Sequence, residues 1–393
     1  MPDAILTLNA GSSSLKFALF WRAGKKFLSG AVEGIGTTPH FFVRDADGKP
    51  LHDQKFADGL DHEQLLSPLL AWIDSHLGDE KLIAAGHRIV HGGTKFAAPV
   101  QLNDAVLADL AELNDLAPLH EPHNLAAIRA VMALRPSLVQ IGCFDTAFHH
   151  TLQPAATRLP LPRHYFDEGV RRYGFHGLSY EYISERLHQD APTLAAGRVI
   201  AAHLGNGASA CAMINGKSVD STMGFTGLDG LIMGTRTGII DAGAVLYLMQ
   251  SRQMDAAALT DLLYKKSGLL GLSGISSDMR ALLASPEPAA AQAVAAFCYA
   301  AAKQMAGLVV AMGGLDGLIF TAGIGEHCPP IRATICAHLK HLGITIDDSA
   351  NTRNAPIISP PASQIAVHVI PANEEGTIAR HCEELLALAE KKP

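Results

Sequence analysis

Short apolar runs that end in glycine, serine or asparagine punctuate this chain and mark its strands. Residues 5–8, 15–20, 27–32 and 41–44 follow one another between turns rich in Gly and Asp, which predicts an opening series of strands. Apolar positions at helical spacing then predict helices over 63–77, 105–117 and 123–135. Between them, 81–90 predicts a strand running into His91-Gly92-Gly93, and 139–144 one that delivers Asp145 at its end. From Val199 the strand theme restarts and the order of elements loosely repeats, as in a duplicated domain. Residues 251–284 read as mostly helical with a glycine-rich interruption at 267–274. The alanine-rich stretch 289–312 reads as a buried helix, and 374–392 as one helix after Pro371.

Three of the strands end in turns of one kind: Asn9-Ala10-Gly11-Ser12-Ser13-Ser14-Leu15-Lys16, His203-Leu204-Gly205-Asn206-Gly207-Ala208-Ser209, and Thr321-Ala322-Gly323-Ile324-Gly325-Glu326. Such small residues let backbone N–H groups approach an anion. Dinucleotide and Walker-type phosphate loops lead into a helix. Here the first two turns run on into a second apolar stretch, and the second ends in the hairpin signal Asn215-Gly216. Two strand-turn-strand phosphate clamps, one in each half, imply two related domains serving one nucleotide. The proline-bearing stretch 154–162 marks the change between them. The expected division is 1–150 completed by 376–393, and 151–375.

Bulk properties narrow the class. At 393 residues the chain exceeds the usual limit of a single core, and with 48% apolar and 18% charged residues it can fill two. A net charge of −7 argues against nucleic acid or an anionic membrane surface as partner. Six cysteines without C-x-x-C spacing read as buried free thiols, and the N-terminus enters a strand without a signal pattern. A soluble cytoplasmic protein is expected.

Candidate chemistry lies in glycine-flanked loops. Arg88 and Arg236 each sit among small or apolar neighbours. Guanidinium donors match carboxylate and phosphoryl oxygens two at a time, so the pair reads as an anion clamp. Asp145 follows a strand, where the alternative is a helix cap. His176 stands in Tyr173-Gly174-Phe175-His176-Gly177. Glu374 reads either as a first-turn helix residue or as a carboxylate facing a metal.

Assembled in order, these segments resemble the acetate/propionate kinase family. The match rests on 9–16, on His-Arg-x-Val-His-Gly-Gly at 87–93, and on Phe-Asp-Thr-Ala-Phe-His at 144–149. It continues through Arg-Arg-Tyr-Gly-Phe-His-Gly at 171–177, His-Leu-Gly-Asn-Gly-x-Ser at 203–209, Gly-Thr-Arg-x-Gly at 234–238 and Asn-Glu-Glu at 373–375. The resemblance implies an α/β fold of two duplicated actin-like (ribonuclease H-like) domains with a nucleotide cleft between them. It implies reversible transfer of the γ-phosphoryl of ATP to acetate, giving acetyl phosphate and ADP. A propionate or other short-chain carboxylate kinase on the same scaffold is the nearest alternative, and an actin- or Hsp70-type ATP-binding regulator the alternative of another class.

Carried over position by position, the resemblance makes Arg88, Asp145, His176 and Arg236 catalytic. Arg88, Val90, Leu119, Phe175 and Gly227 would receive the carboxylate and its acyl chain. Lys16, His203, Leu204, Gly205, Asn206, Gly207, Asp278, Met279, Arg280, Gly323, Ile324, Gly325, Glu326 and His327 would line the nucleotide site. Asn9 and Glu374 would be linked to Mg²⁺, with Mn²⁺ as a substitute. It also implies a homodimer. This chain departs from the usual family pattern at Leu178-Ser179-Tyr180, His327, Ala242 and Gly227.

Overall fold

The computed structural model describes residues 3–391 except 12, 23, 115, 118 and 119. It divides into two compact units, Met1–Phe148 with Asn373–Pro393, and His149–Ala372.

The first unit holds a sheet of β1 (Ala4–Ala10), β2 (Ser14–Trp21), β3 (Lys25–Glu33), β4 (His40–Asp45), β5 (Pro50–Lys55), β6 (Leu82–Ile89), β7 (Val100–Gln101) and β8 (Val139–Phe144), in the order β5-β4-β3-β2-β1-β6-β8-β7. The second holds β9 (Arg198–Leu204), β10 (Ala208–Ile214), β11 (Lys217–Ser221), β12 (Gly317–Thr321) and β13 (Ala366–Val369), in the order β11-β10-β9-β12-β13. The duplication expected from sequence is explicit in the pairing. In the first sheet β3-β2-β1 are antiparallel and β1-β6-β8 parallel. In the second, β11-β10-β9 are antiparallel and β9-β12-β13 parallel. Strands buried on both faces explain the unbroken apolar runs at β1, β9 and β12.

Local chemistry sets the turns. Asn215 and Gly216 both take left-handed backbone, with φ of 51° and 70°, which closes the β10–β11 hairpin with the twist that strands favour. Helix His62–Leu77 opens with a reciprocal cap between Asp61 and Gln64, and lays Leu65, Leu66, Leu69, Leu70 and Ile73 into the first core. The last helix, Glu374–Glu390, comes close to β6 because Gly86 has no side chain. A Cβ there would lie 2.4 Å from Ile378 Cγ2 and 2.7 Å from Cys382 Sγ. That contact brings the first turn of the helix, with Glu374, to the side of Arg88.

Three expectations need correction. The helix expected over 105–117 is Asp104–Ala111, after which tight turns take over. There the Leu113 side chain packs over Gly93, whose absent Cβ would lie 3.1 Å away, and tertiary packing overrides helical periodicity. The glycine-rich stretch 267–274 is not an interruption but contains a short helix, Gly268–Ser273. Finally, the alanine-rich stretch forms helix Pro288–Met312, the one described helix long and apolar enough to cross a membrane. Ala290, Ala293, Phe297, Ala301, Met305 and Leu308 form its buried stripe, but Tyr299 and Val310 are exposed, so burial is one-sided. All six cysteines are buried free thiols.

Candidate active site

In the first unit the site grows from the carboxyl ends of adjacent parallel strands, where open α/β sheets place ligands. Arg88 pairs in register with Cys143, so Asp145, just past the end of β8, falls beside the Arg88 side chain. Arg88 Nε donates to Asp145 Oδ1 at 3.0 Å and Nη2 to Oδ2 at 2.6 Å, while Nη1 lies 3.4 Å from Glu374 Oε2. Burial alone would lower the Arg88 pKa, but Asp145 and Glu374 more than offset it and the guanidinium is held firmly charged. Asp145 is 2% exposed, so either partner alone would be a stranded charge, at a cost of about 3–5 kcal/mol.

Around this pair the backbone is tied by side chains. Asn124 accepts from Val90 N at 3.1 Å and donates to Ala10 O at 2.7 Å, joining the end of β6 to the end of β1. Asn9 stands opposite Lys16 across the β1–β2 hairpin. Lys16 in turn lies near Glu375, whose pKa burial raises and the Lys26 and Lys16 ammonium groups lower. Asn9, Lys16, Arg88, Val90, Asp145 and Glu374 are thus one neighbourhood. The expected pocket residue Leu119 lies outside the described residues.

Glu121 was not singled out in the sequence. It is fully buried and accepts from His91 N at 3.2 Å, fixing the loop after Arg88. Its second oxygen has no hydrogen-bond partner among the described residues. Burial pushes its pKa up to about 8, helped by the Asp145 carboxylate and opposed by the His91 N–H. Burial likewise pushes His91 down to about 4. Both shifts favour the uncharged form of each group.

In the second unit the β9–β10 turn is tied to the loop that carries Arg236. Gly205 N donates to Gly207 O at 3.1 Å, and Asn206 O accepts from Gly234 N at 3.0 Å, which locks the turn to the loop bearing Arg236. A Cβ on Gly207 would lie 2.6 Å from Arg236 Nη2 and 3.3 Å from His176 Nε2. The bare glycine is what lets both donors meet over the turn. Arg236 Nη1 donates to Gly227 O at 2.6 Å. His176 takes left-handed backbone, φ 58°, ahead of helix Gly177–Asp190, and its ring stacks on His203 with centroids 4.2 Å apart. Strained backbone of this kind collects at functional sites.

The Arg236 loop rests on the short helix that sequence reading took for an interruption. Leu269 N donates to Met233 O at 2.8 Å and Leu270 N to Gly234 O at 3.0 Å. Gly268, at φ 63°, fits only because it lacks a side chain, since a Cβ would lie 2.2 Å from Met233 O. The Gly227 loop is strapped by Arg172, which donates to Asp229 Oδ2 at 3.0 Å and also bonds Ser221 O.

The remaining nucleotide-site expectations divide by burial. Leu204 and Met279 are core residues, and Phe175 is also buried. Asp278 caps its helix and pairs with Arg280, both toward solvent. Gly323, Ile324 and Gly325 lie in helix Ala322–His327, opened by Ala322 at φ 65°. Glu326 accepts from Ala372 N at 2.9 Å, and His327 is largely exposed. That helix is held from behind by Arg332, a fully buried guanidinium missed in the sequence. It donates to Gly325 O and Glu326 O at 2.8 Å each, and to Asn351 and Asn354. Nothing but a lone arginine in an amphipathic helix marked it beforehand.

One mixed five-strand order, complete in the second sheet and embedded in the first, defines a duplicated actin-like α/β protein. The acetokinase family model matches residues 4–380, and the chain belongs to that family. The acetate kinase of Rhodopseudomonas palustris strain TIE-1 is 49% identical over 389 residues, spanning 97% of this chain and 98% of its own length. A solved propionate kinase from Francisella tularensis superposes with a TM-score of 0.90 at 35% identity, covering 96% of this chain and 98% of its own. A Porphyromonas gingivalis acetate kinase structure gives 0.87 at 36% identity, covering 98% and 100%.

Glu121 generates a pH prediction. Between about pH 4.5 and 8 the native state holds a proton that the unfolded chain has released, so its stabilisation is complete below that window and lost as pH rises through it. Glu121→Gln should remove this dependence. Thermal unfolding should show the variant's melting temperature falling less than wild type's between about pH 5.5 and 8, by about 2 °C or more. Parallel curves would mean Glu121 is ionised at neutral pH.

Proposed function

We propose that the protein transfers the γ-phosphoryl group of ATP to acetate, reversibly, giving ADP and acetyl phosphate. The observation that carries this reading is the meeting of Arg236 Nη2 and His176 Nε2 over the bare Cα of Gly207. Two donors aimed at one small space beside a glycine turn suit phosphoryl oxygens, and phosphoryl transfer asks for positioning and charge neutralisation more than for covalent help.

Acetate, with a pKa of about 4.8, is ionised at neutral pH and needs no base. Its oxygen attacks the γ-phosphorus as the bond to the β-bridging oxygen breaks, and ADP leaves. Asp145 is already committed to Arg88 by hydrogen bonds from both Nε and Nη2, which supports a role in holding that arginine rather than in taking a proton. Arg88 and Arg236 neutralise the carboxylate and the moving phosphoryl group. Lys16, the turn at 205–207 and the helix residues 323–327 serve the nucleotide.

Among the described residues no cluster of three or more His, Cys, Asp or Glu could cage a metal. The oxygen donors Asn9 and Glu374 suit Mg²⁺ that arrives largely on nucleotide phosphates, and Mn²⁺ could replace it. Bound there, the cation would lower the charge repulsion between nucleotide and acceptor.

A homodimer is also part of this reading. Helix Ala242–Ser251 buries none of its residues, and Ile239, Leu246, Tyr247 and Met249 are exposed beside one another in sequence. A second copy of the same apolar patch is the economical cover. Sedimentation equilibrium should give twice the chain mass for wild type and the single mass for Leu246→Glu/Tyr247→Glu. A monomeric wild type would remove this part. A cytoplasmic setting accords with the six free thiols.

ADP formation should depend on acetate, and a hydroxamate assay should detect acetyl phosphate. Arg88→Ala and Arg236→Ala should each lower turnover by about 10²–10³. Retention of more than about a tenth of turnover by either would dismiss that arginine from the reaction.

Gly227 decides chain length in this reading. Its carbonyl holds Arg236, and a Cβ there would lie 3.0 Å from Arg236 Nη1. With no ring at this position propionate gains room, at about 0.8 kcal/mol or roughly fourfold in kcat/KM per buried methylene. Gly227→Pro should shift the kcat/KM ratio toward acetate. An unchanged ratio would show that other side chains bound the pocket.

A further inference from the structure

Tyr180 departs from the usual family pattern, yet it is fully buried and reaches a serine that holds His176. Its hydroxyl lies 2.5 Å from Ser209 Oγ, and Ser209 Oγ lies 2.8 Å from His176 Nδ1. The three groups form a line ending at the imidazole whose other nitrogen, Nε2, meets Arg236 over Gly207. The line is assembled by regular elements. Tyr180 lies in the first turn of helix Gly177–Asp190, and Ser209 stands in β10 opposite His203.

We infer that Tyr180 is a positioning residue that, through Ser209, fixes His176 as the tautomer with its proton on Nε2. A serine hydroxyl has one hydrogen and cannot donate to both neighbours. A phenol is far more acidic than an alkyl hydroxyl and is the better donor, so Tyr180 donates to Ser209 and Ser209 donates to His176. Nδ1 is then an acceptor, and the ring's proton sits on Nε2, where a phosphoryl oxygen needs a donor. The opposite tautomer would present a lone pair to an anion. In this arrangement a neutral imidazole donates a hydrogen bond without having to be charged.

The inference rests on the proposed role of His176, so the test separates the two. Wild type, Tyr180→Phe, Ser209→Ala and His176→Ala are compared, with circular dichroism and melting temperature confirming that each folds. In wild type with nitrogen-labelled histidine, the NMR shifts of His176 should show a protonated Nε2 and a bare Nδ1. In Tyr180→Phe, Ser209 loses its donor and becomes free to accept from Nδ1, so the two forms should mix. Turnover should fall about tenfold, a part of the 10²–10³ that loss of a whole donor costs, with KM for ATP within about twofold. Ser209→Ala should show the same split of effects.

Tyr180→His, which restores the common family residue and offers a ring donor, should recover most of the turnover. An unchanged tautomer in Tyr180→Phe, or a drop in melting temperature with turnover intact, would make Tyr180 a core filler and overturn the inference. If His176→Ala instead keeps wild-type turnover, the catalytic reading of His176 fails, whatever the tautomer.

Discussion

A guanidinium taken out of water needs an opposite charge, and that constraint organises the first unit. Arg88 is largely buried, so Asp145 and Glu374 must lie within reach of it. Asp145 arrives because β8 runs parallel to β6 and ends just past its level. Glu374 arrives because Gly86 lets the C-terminal helix settle on the sheet. The chain's last element therefore completes a site begun by a strand nearly three hundred residues earlier. Such a pair contributes little net stability against an apolar replacement, so its worth lies in holding one arginine in one orientation.

The second unit meets the same chemical demand with fewer charges. Arg236 is oriented by a carbonyl, Gly227 O, while His176 and His203 are tied through their Nδ1 atoms to serine hydroxyls, Ser209 and Ser179. Close approach does the rest. Side chains at Gly207, Gly234 or Gly268 would strike Arg236 Nη2, Asn206 Oδ1 or Met233 O. The glycines are places where backbone and polar side chains must share a space too small for a methyl group.

What was legible in the sequence follows from how local each signal is. The strands were readable because residues buried on both faces leave unbroken apolar runs, and the small-residue segments because they end those runs. Arg88, near the end of β6, and Asp145, His176 and Arg236, outside regular elements, stood out for a similar reason, as polar groups among small or apolar neighbours. Glu121, Ser209, Arg172 and Arg332 did not, since their importance lies in partners far along the chain. Arg332 holds carbonyls six and seven residues away and two asparagines about twenty away, a pairing that only tertiary structure creates. The short helix at Gly268 was misread because its glycines serve packing against Met233 and Arg236 rather than chain reversal.

The duplication shows how one scaffold came to hold two kinds of polar hairpin. In both units the hairpin that follows the first strand places its penultimate residue opposite a residue on the returning strand. That pair is Asn9 with Lys16 in one unit and His203 with Ser209 in the other. The sheet geometry fixes the position, and the side chain chooses the chemistry. A lysine beside an amide gives a mobile point charge suited to solvated phosphate oxygens. On the second hairpin Ser209 turns to His176 and His203 turns to Ser179, so each imidazole has its Nδ1 held by a hydroxyl. Rigid donors help only if their protons point the right way, which backbone geometry alone cannot decide. A hydroxyl network must decide it, and a substitution at a buried position such as Tyr180 can retune the site without touching a residue that meets substrate.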